Sequence, residues 1–197
     1  LPGLLLAAAA LVGHSPDLRD LHGYFVPLRQ HTAAVLTGQA NPFWTTAVGC
    51  GEPFFANPQS GILYPPTWLA AVMPAWQAVG VEAGLHLAWL GIGCLLLAIR
   101  LGARPWLALA AAWGAVRAGP TSDAVGVLNN LDTMAWLPWL WWAALGGNVP
   151  ATALFLALAF LGAEPQLTAL GALVALALAP RRRTLAAVVL GSALVAV

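Results

Sequence analysis

Asp20 is the side chain best placed to do chemistry in this chain. It stands in the segment SPDLRDLHGYFVPLRQH, residues 15–31. Helical spacing there puts Asp17, Asp20, Tyr24, Pro27 and His31 on a polar stripe, beside an apolar stripe of Leu18, Leu21, Phe25 and Leu28. Ser15, Pro16 and Asp17 supply an N-cap, a first-turn proline and a first-turn acid, so Asp17 has a structural role at the helix start and is the second candidate base. Asp20 lies one turn further in, where the helix dipole helps less. A carboxylate there, with a phenol and an imidazole on its face, has the means to take a proton from an incoming hydroxyl. The competing reading is a solvated surface acid paired with Arg19 or His22.

Further polar groups follow. Asn57 and Gln59 carry amides that either bind a polar substrate or tie their own loop together. The turn Gly162-Ala-Glu-Pro-Gln166 sets Glu164 and Gln166 between two apolar segments. Asn129, Asn130 and Asp132 precede another apolar segment, where Asp132 serves as a cap. His14, His22 and His31 lack the tight spacing of a metal motif, and no metal ligands are assigned. His86 sits inside an apolar helix, where a hydrogen bond to a neighbouring helix is the usual role of such a group, although ionisable residues in that setting point to function. Cys50 and Cys94 fall in unlike surroundings and are not expected to pair.

The elements that position these groups are set by composition. Apolar residues make up 60% of the 197 and charged residues 8%, with no lysine and a formal net charge of +1. Mean hydropathy is +0.81. A soluble domain carries about 25% charge, so the expected class is an all-α polytopic transmembrane helix bundle. Nucleic-acid binding is excluded for want of a basic patch beyond Arg181–Arg183. Spanning segments are expected at 1–13, 83–100, 105–119, 133–145, 150–162, 167–179 and 184–197, treated as one transmembrane domain. Residues 14–66 form a large extracytoplasmic loop with an amphipathic juxtamembrane helix running to Thr37, kinked at Pro27 and ended by Gly38. Residues 66–80, broken by Pro74, are expected to lie at the interface or re-enter without crossing.

Charge sets the orientation. With Arg100, Arg104 and Arg181–Arg183 on the inner side, counting helices places all seven acids (Asp17, Asp20, Glu52, Glu82, Asp123, Asp132, Glu164) on the outer side. Trp68, Trp76, Trp136, Trp139, Trp141 and Trp142 fall near expected helix ends, as interfacial anchors. Both ends of the chain fall in apolar runs, as expected of a fragment of a longer protein.

The order of several motifs then resembles a family. Asp20 after the first helix, Tyr24 and Pro27, Gly38-Gln-Ala-Asn-Pro-Phe-Trp44, Gly51-Glu-Pro-Phe-Phe-Ala-Asn-Pro-Gln59, Leu63-Tyr-Pro-Pro66, Asn129–Trp139 and Gly162–Gln166 resemble the bacterial YfhO-like integral membrane proteins, which are similar to GT-C glycosyltransferases. That resemblance implies an enzyme of the bacterial cytoplasmic membrane, with its large loop outside. Its substrates would be a polyprenyl-phosphate-linked sugar and an envelope glycan or lipid acceptor, met among membrane lipids. Asp20 would be the catalytic base, with Asp17 second. Tyr24, His31, Asn57, Gln59, Glu164 and Gln166 would lie at the substrate. Arg29, Arg117 or a divalent cation would offset the leaving phosphate. The competing classes are a membrane transporter or flippase and a non-catalytic assembly subunit.

Overall fold

The computed structural model describes residues 2–14 and 18–195. It is 73% helix and 2% strand, so the all-α expectation holds. The chain begins with helix α1 (Pro2–Leu11). A π-helical turn (Leu21–Phe25) leads into α2 (Val26–Leu36), which ends at Thr37, with Gly38 at φ 72°. The loop that follows is pinned by a two-residue antiparallel pairing, β1 (Trp44–Thr45) on β2 (Glu52–Pro53). Two 3₁₀ turns, Pro58–Ser60 and Pro65–Ala71, bring the chain to α3 (Ala75–Arg100). The rest is α4 (Pro105–Arg117), α5 (Gly119–Ala124), α6 (Leu128–Leu145), α7 (Val149–Leu161), α8 (Pro165–Leu178) and α9 (Arg182–Ala193).

Helix α3 is the hub. It packs on α1, α4 and α6, while α6 carries α7 and α8, and α7 carries α9. The α1–α3 crossing is built on glycine: a Cβ on Gly3 would lie 2.4 Å from the Gly84 carbonyl oxygen, and one on Gly84 would lie 2.5 Å from the Ala7 nitrogen. Backbones this close gain dispersion contacts that larger side chains would forbid.

The outer helices place small residues inward and large apolar ones outward. In α4, Ala108, Ala112 and Val116 are buried while Trp106, Leu109 and Trp113 are exposed. In α8, Thr168, Gly171 and Ala175 are buried while Leu170, Leu173 and Leu178 are exposed. In α9, Thr184, Ala187 and Gly191 are buried while Leu185, Val189 and Leu190 are exposed. This is the reverse of a water-soluble helix, whose large apolar side chains turn to the core.

Three expectations need correction. Residues 66–80 are not one interfacial helix: the 3₁₀ turn covers the first half, and from Ala75 the chain already belongs to α3, because Pro74 suits a helix start. Among the described residues, only α3 is long and apolar enough to cross a membrane by itself. Helices α4, α7, α8 and α9 have 12 to 14 residues, a rise of roughly 18–21 Å at about 1.5 Å per residue. Trp136 and Trp139 are packing residues rather than surface anchors. Trp139 stacks on Trp89 with ring centroids 4.1 Å apart, and Trp136 stacks on Phe155.

The two ends of the bundle differ in charge. At one end, Arg100 donates to the Trp142 carbonyl (2.7 Å) and lies over the Trp142 ring, while the Gly146–Gly147 turn runs against Arg100 and Arg181. At the other, Arg19 pairs with Asp123, Asn129 holds Glu164, and Glu82 is buried in the first half of α3.

Candidate functional site

A polar cleft of about 330 Å³ beside the loop is lined by Asp20, Tyr24, Phe25, Gln59 and Val127. Asp20 starts the π-helical turn, and its backbone N–H donates to the Gly126 carbonyl (3.2 Å), which docks the turn on the α5–α6 connection. The side chain is exposed. Below it, Leu21, Phe25 and Leu28 are fully buried, as the apolar stripe requires, while Leu18 stays exposed.

Asn57 holds the cleft's far wall. Its Nδ2 donates to the Tyr24 hydroxyl (3.0 Å) and to Glu52 Oε1 (2.7 Å), and its Oδ1 accepts from the Gln59 backbone N–H (2.9 Å). One amide therefore fixes both polar neighbours of Asp20. Of the two roles open to Asn57, the structure displays the loop-tying one, and Gln59 is the amide that faces the cleft.

The other candidates lie elsewhere. His31 does not line the cleft: its Nε2 meets the Asn41 carbonyl (3.0 Å) and its ring packs edge-on against Phe54. The stripe that grouped it with Asp20 assumed 3.6 residues per turn, and the π-helical turn breaks that register. Arg117 is exposed over the Trp113 ring. Glu164 accepts from Asn129 Nδ2 (3.1 Å), and its backbone N–H donates to Thr133 Oγ1 (3.2 Å), so it braces the α7–α8 turn on α6. Gln166 is exposed on that turn. Asp17 lies outside the described residues. Among the described residues no three His, Cys, Asp or Glu side chains gather to hold a metal ion, so the proposed divalent cation finds no protein cage here. Cys50 and Cys94 are free.

Arg29 overturns its expected role. It is 2% exposed, and its Nε and Nη2 donate to the two carboxylate oxygens of Glu82, each at 3.0 Å, while Nη1 donates to the Ser60 carbonyl (3.0 Å). Three of its donors are engaged within the protein and the side chain is buried, so it does not line the cleft. Burial alone would lower the Arg29 pKa, and the Glu82 carboxylate against it more than offsets this, leaving it raised. Gly61 permits the approach: at φ 62° it adopts the left-handed region, and a Cβ there would press on Thr67 and on Arg29 Nη1.

Around that pair lies a buried cluster. Asp132 on α6 is 2% exposed, with Oδ2 at 3.9 Å from Arg29 Nη2 and Oδ1 at 3.4 Å from His86 Nδ1. His86 Nδ1 also meets the Glu82 carbonyl (2.7 Å), and its Nε2 meets the Tyr64 hydroxyl. Trp136 Nε1 donates to that same hydroxyl (2.7 Å). Burial pushes the Tyr64 phenol up, out of the range in which it could ionise in physiological conditions. The cluster ties α2, the loop, α3 and α6 at one point. A cleft of about 260 Å³ lined by Pro66, Glu82, Leu85, His86, Trp89 and Trp136 reaches it from outside.

Sequence reasoning did not assemble this cluster, because Arg29, Glu82 and Asp132 are far apart along the chain. One local signal was present: Glu82 and His86 stand four residues apart in an apolar helix, hence on one face. Comparison with family models, with characterised proteins and with solved structures gives no match.

Proposed function

We propose that this chain is a membrane glycosyltransferase of the GT-C type, resembling the YfhO-like proteins, that moves a sugar from a polyprenyl-phosphate carrier to an envelope acceptor. The observation that carries this reading is the Asp20 carboxylate, exposed at a polar cleft beside Tyr24 and Gln59, both of which hydrogen-bond to Asn57. In the step envisaged, the acceptor oxygen bonds to the anomeric carbon, the carbon–oxygen bond to phosphate breaks, and the phosphate leaves with the electron pair. Asp20 takes the acceptor's proton.

Membrane embedding is supported by the outward Trp106, Leu109, Trp113, Leu170, Leu173 and Val189, since water-facing helices turn their large apolar side chains inward. Inward small residues are the packing habit of helices in lipid. The gathering of Arg100 and Arg181 at the end away from the acids agrees with an outer loop and an inner arginine-bearing face, while Arg19 and Arg29 pair with acids on the loop side. The short helices cross as a bundle rather than singly.

The test is mass spectrometry of envelope glycans in a strain lacking the full-length protein, complemented by wild type or Asp20→Asn. One sugar modification should vanish, return with wild type, and stay absent with an Asp20→Asn protein that still reaches the membrane. Full rescue by Asp20→Asn removes the transferase reading as stated. A second reading, a membrane transporter, rests on the buried Arg29–Glu82–His86–Asp132 cluster. It predicts loss of function from Asp132 or His86 substitutions with Asp20 dispensable.

A further inference from the structure

The buried cluster does not balance as fully ionised. Arg29 brings one positive charge, Glu82 and Asp132 bring two carboxyl groups, and all three side chains are at most 3% exposed. The charged and titratable groups facing Asp132 are Arg29 from α2, Tyr64 from the loop, and Glu82 and His86 from α3. A buried charge without a counter-charge is strongly disfavoured, so a proton must be held on Glu82, His86 or Asp132. The two Arg29 hydrogen bonds to the Glu82 oxygens keep Glu82 ionised, which leaves His86 or Asp132.

Hydrogen-bond order decides between them. Trp136 Nε1 can only donate, so the Tyr64 oxygen accepts from it, and the Tyr64 O–H is left to donate to His86 Nε2. His86 Nδ1–H then donates to the Glu82 carbonyl. Both ring nitrogens are satisfied in a neutral imidazole. Asp132 Oδ1, by contrast, is buried with no hydrogen-bond partner. An ionised carboxylate could not be left so.

We propose that Asp132 is held as a neutral carboxylic acid, a buried and exchangeable proton-binding site whose way to solvent is the cleft beside His86. This inference stands apart from the transferase reading. Arg29 is at present taken by Glu82; if the proton leaves, Asp132 competes for the same guanidinium. Because Arg29 also holds the Ser60 carbonyl, proton release is coupled to the docking of the loop on α3 and α6.

The experiment is infrared spectroscopy of the purified protein at neutral pH, following the stretch of protonated carboxyl groups. Wild type should show such a band, and Asp132→Asn, which mimics the neutral acid, should lack it. Glu82→Gln should also lose it, because Arg29 then needs Asp132 as a carboxylate; a role in packing alone would leave the band in place. Leu85→Trp, which fills the cleft without touching the cluster, should slow hydrogen–deuterium exchange of the band at least tenfold. If Asp132→Asn does not fold, carboxyl-¹³C-labelled aspartate in wild type reads the same proton, as one of four aspartate signals in the protonated position. No protonated aspartate, or a His86 imidazolium in its place, overturns the assignment. Unchanged exchange in Leu85→Trp overturns the route.

Discussion

The Asp20 cleft and the Arg29–Glu82–Asp132 cluster use the same residue types to opposite ends. At the cleft, a carboxylate faces water with its neighbours held by a neutral amide, so it remains available. In the cluster, the Glu82 carboxylate and the Arg29 guanidinium are sealed from water and hydrogen-bond to each other, with Asp132 buried beside them. Exposure, not residue type, separates a group that can meet a substrate from one that holds elements together. The contrast also explains why Arg29, chosen as a partner for phosphate, cannot serve the cleft: a helix that buries its apolar stripe buried the arginine with it.

The largest effect expected from breaking this contrast is in the cluster. Arg29→Ala leaves the Glu82 carboxylate buried without its partner, a loss of about 3–5 kcal/mol. It should appear as a large fall in thermal midpoint or a failure to accumulate. Removing both charges together, as Arg29→Met with Glu82→Gln, should recover most of that loss in the same measurement. A double variant as unstable as Arg29→Ala would mean that shape, rather than charge pairing, holds the loop.

Asp20→Asn tests the other side. Loss of a general base costs roughly 10²–10⁴-fold in rate, while an exposed substitution changes stability by no more than about 0.5 kcal/mol. Transfer assays and thermal unfolding on the same preparation should therefore separate, activity falling while the midpoint stays. Asn57→Ala sits between the two regions. It strips the Tyr24 hydroxyl and Glu52 of a shared donor, costing about 1–2 kcal/mol. It should also loosen Tyr24 and Gln59 around Asp20, so a smaller fall in rate is expected together with a measurable fall in midpoint.

The helical class, the end of α2 at Thr37 and the gathering of Arg100 and Arg181 at the end away from the acids are legible in the sequence, because they follow from local composition and from glycine and proline at fixed offsets. The Asp20–Tyr24 pairing was legible for the same reason, since both lie within one turn. The place of His31 was not, because a π-helical turn does not announce itself in residue types. Nor was the start of α3: Pro74 breaks the apolar segment 66–80 in sequence, yet the same proline stands at the N-cap of a long helix. The charge cluster escaped because its members meet only after α2, α3 and α6 have packed. Local sequence gives Asp132 the place of a helix cap, and its burial against Arg29 depends on a crossing that no local pattern encodes.

The smallest effect is expected at Arg19, and it sharpens the rule about exposure. Arg19 and Asp123 make a short ion pair at 2.6 Å, yet their side chains are 53% and 61% exposed. Solvent and salt screen such a pair, and exposed pairs contribute about 0–1 kcal/mol. Arg19 also adopts φ 45°, a left-handed conformation that favours glycine. Arg19→Gly therefore exchanges a weak ion pair for relief of backbone strain of about 1 kcal/mol, and its thermal midpoint should equal or exceed that of wild type. Arg19→Ala keeps the strain and loses the pair, so it should fall slightly below both. Added salt should lower the wild-type midpoint toward that of Arg19→Ala while leaving Arg19→Gly where it was. If instead Arg19→Gly destabilises as strongly as Arg29→Ala, the surface pair is an anchor in its own right, and exposure does not divide the two regions.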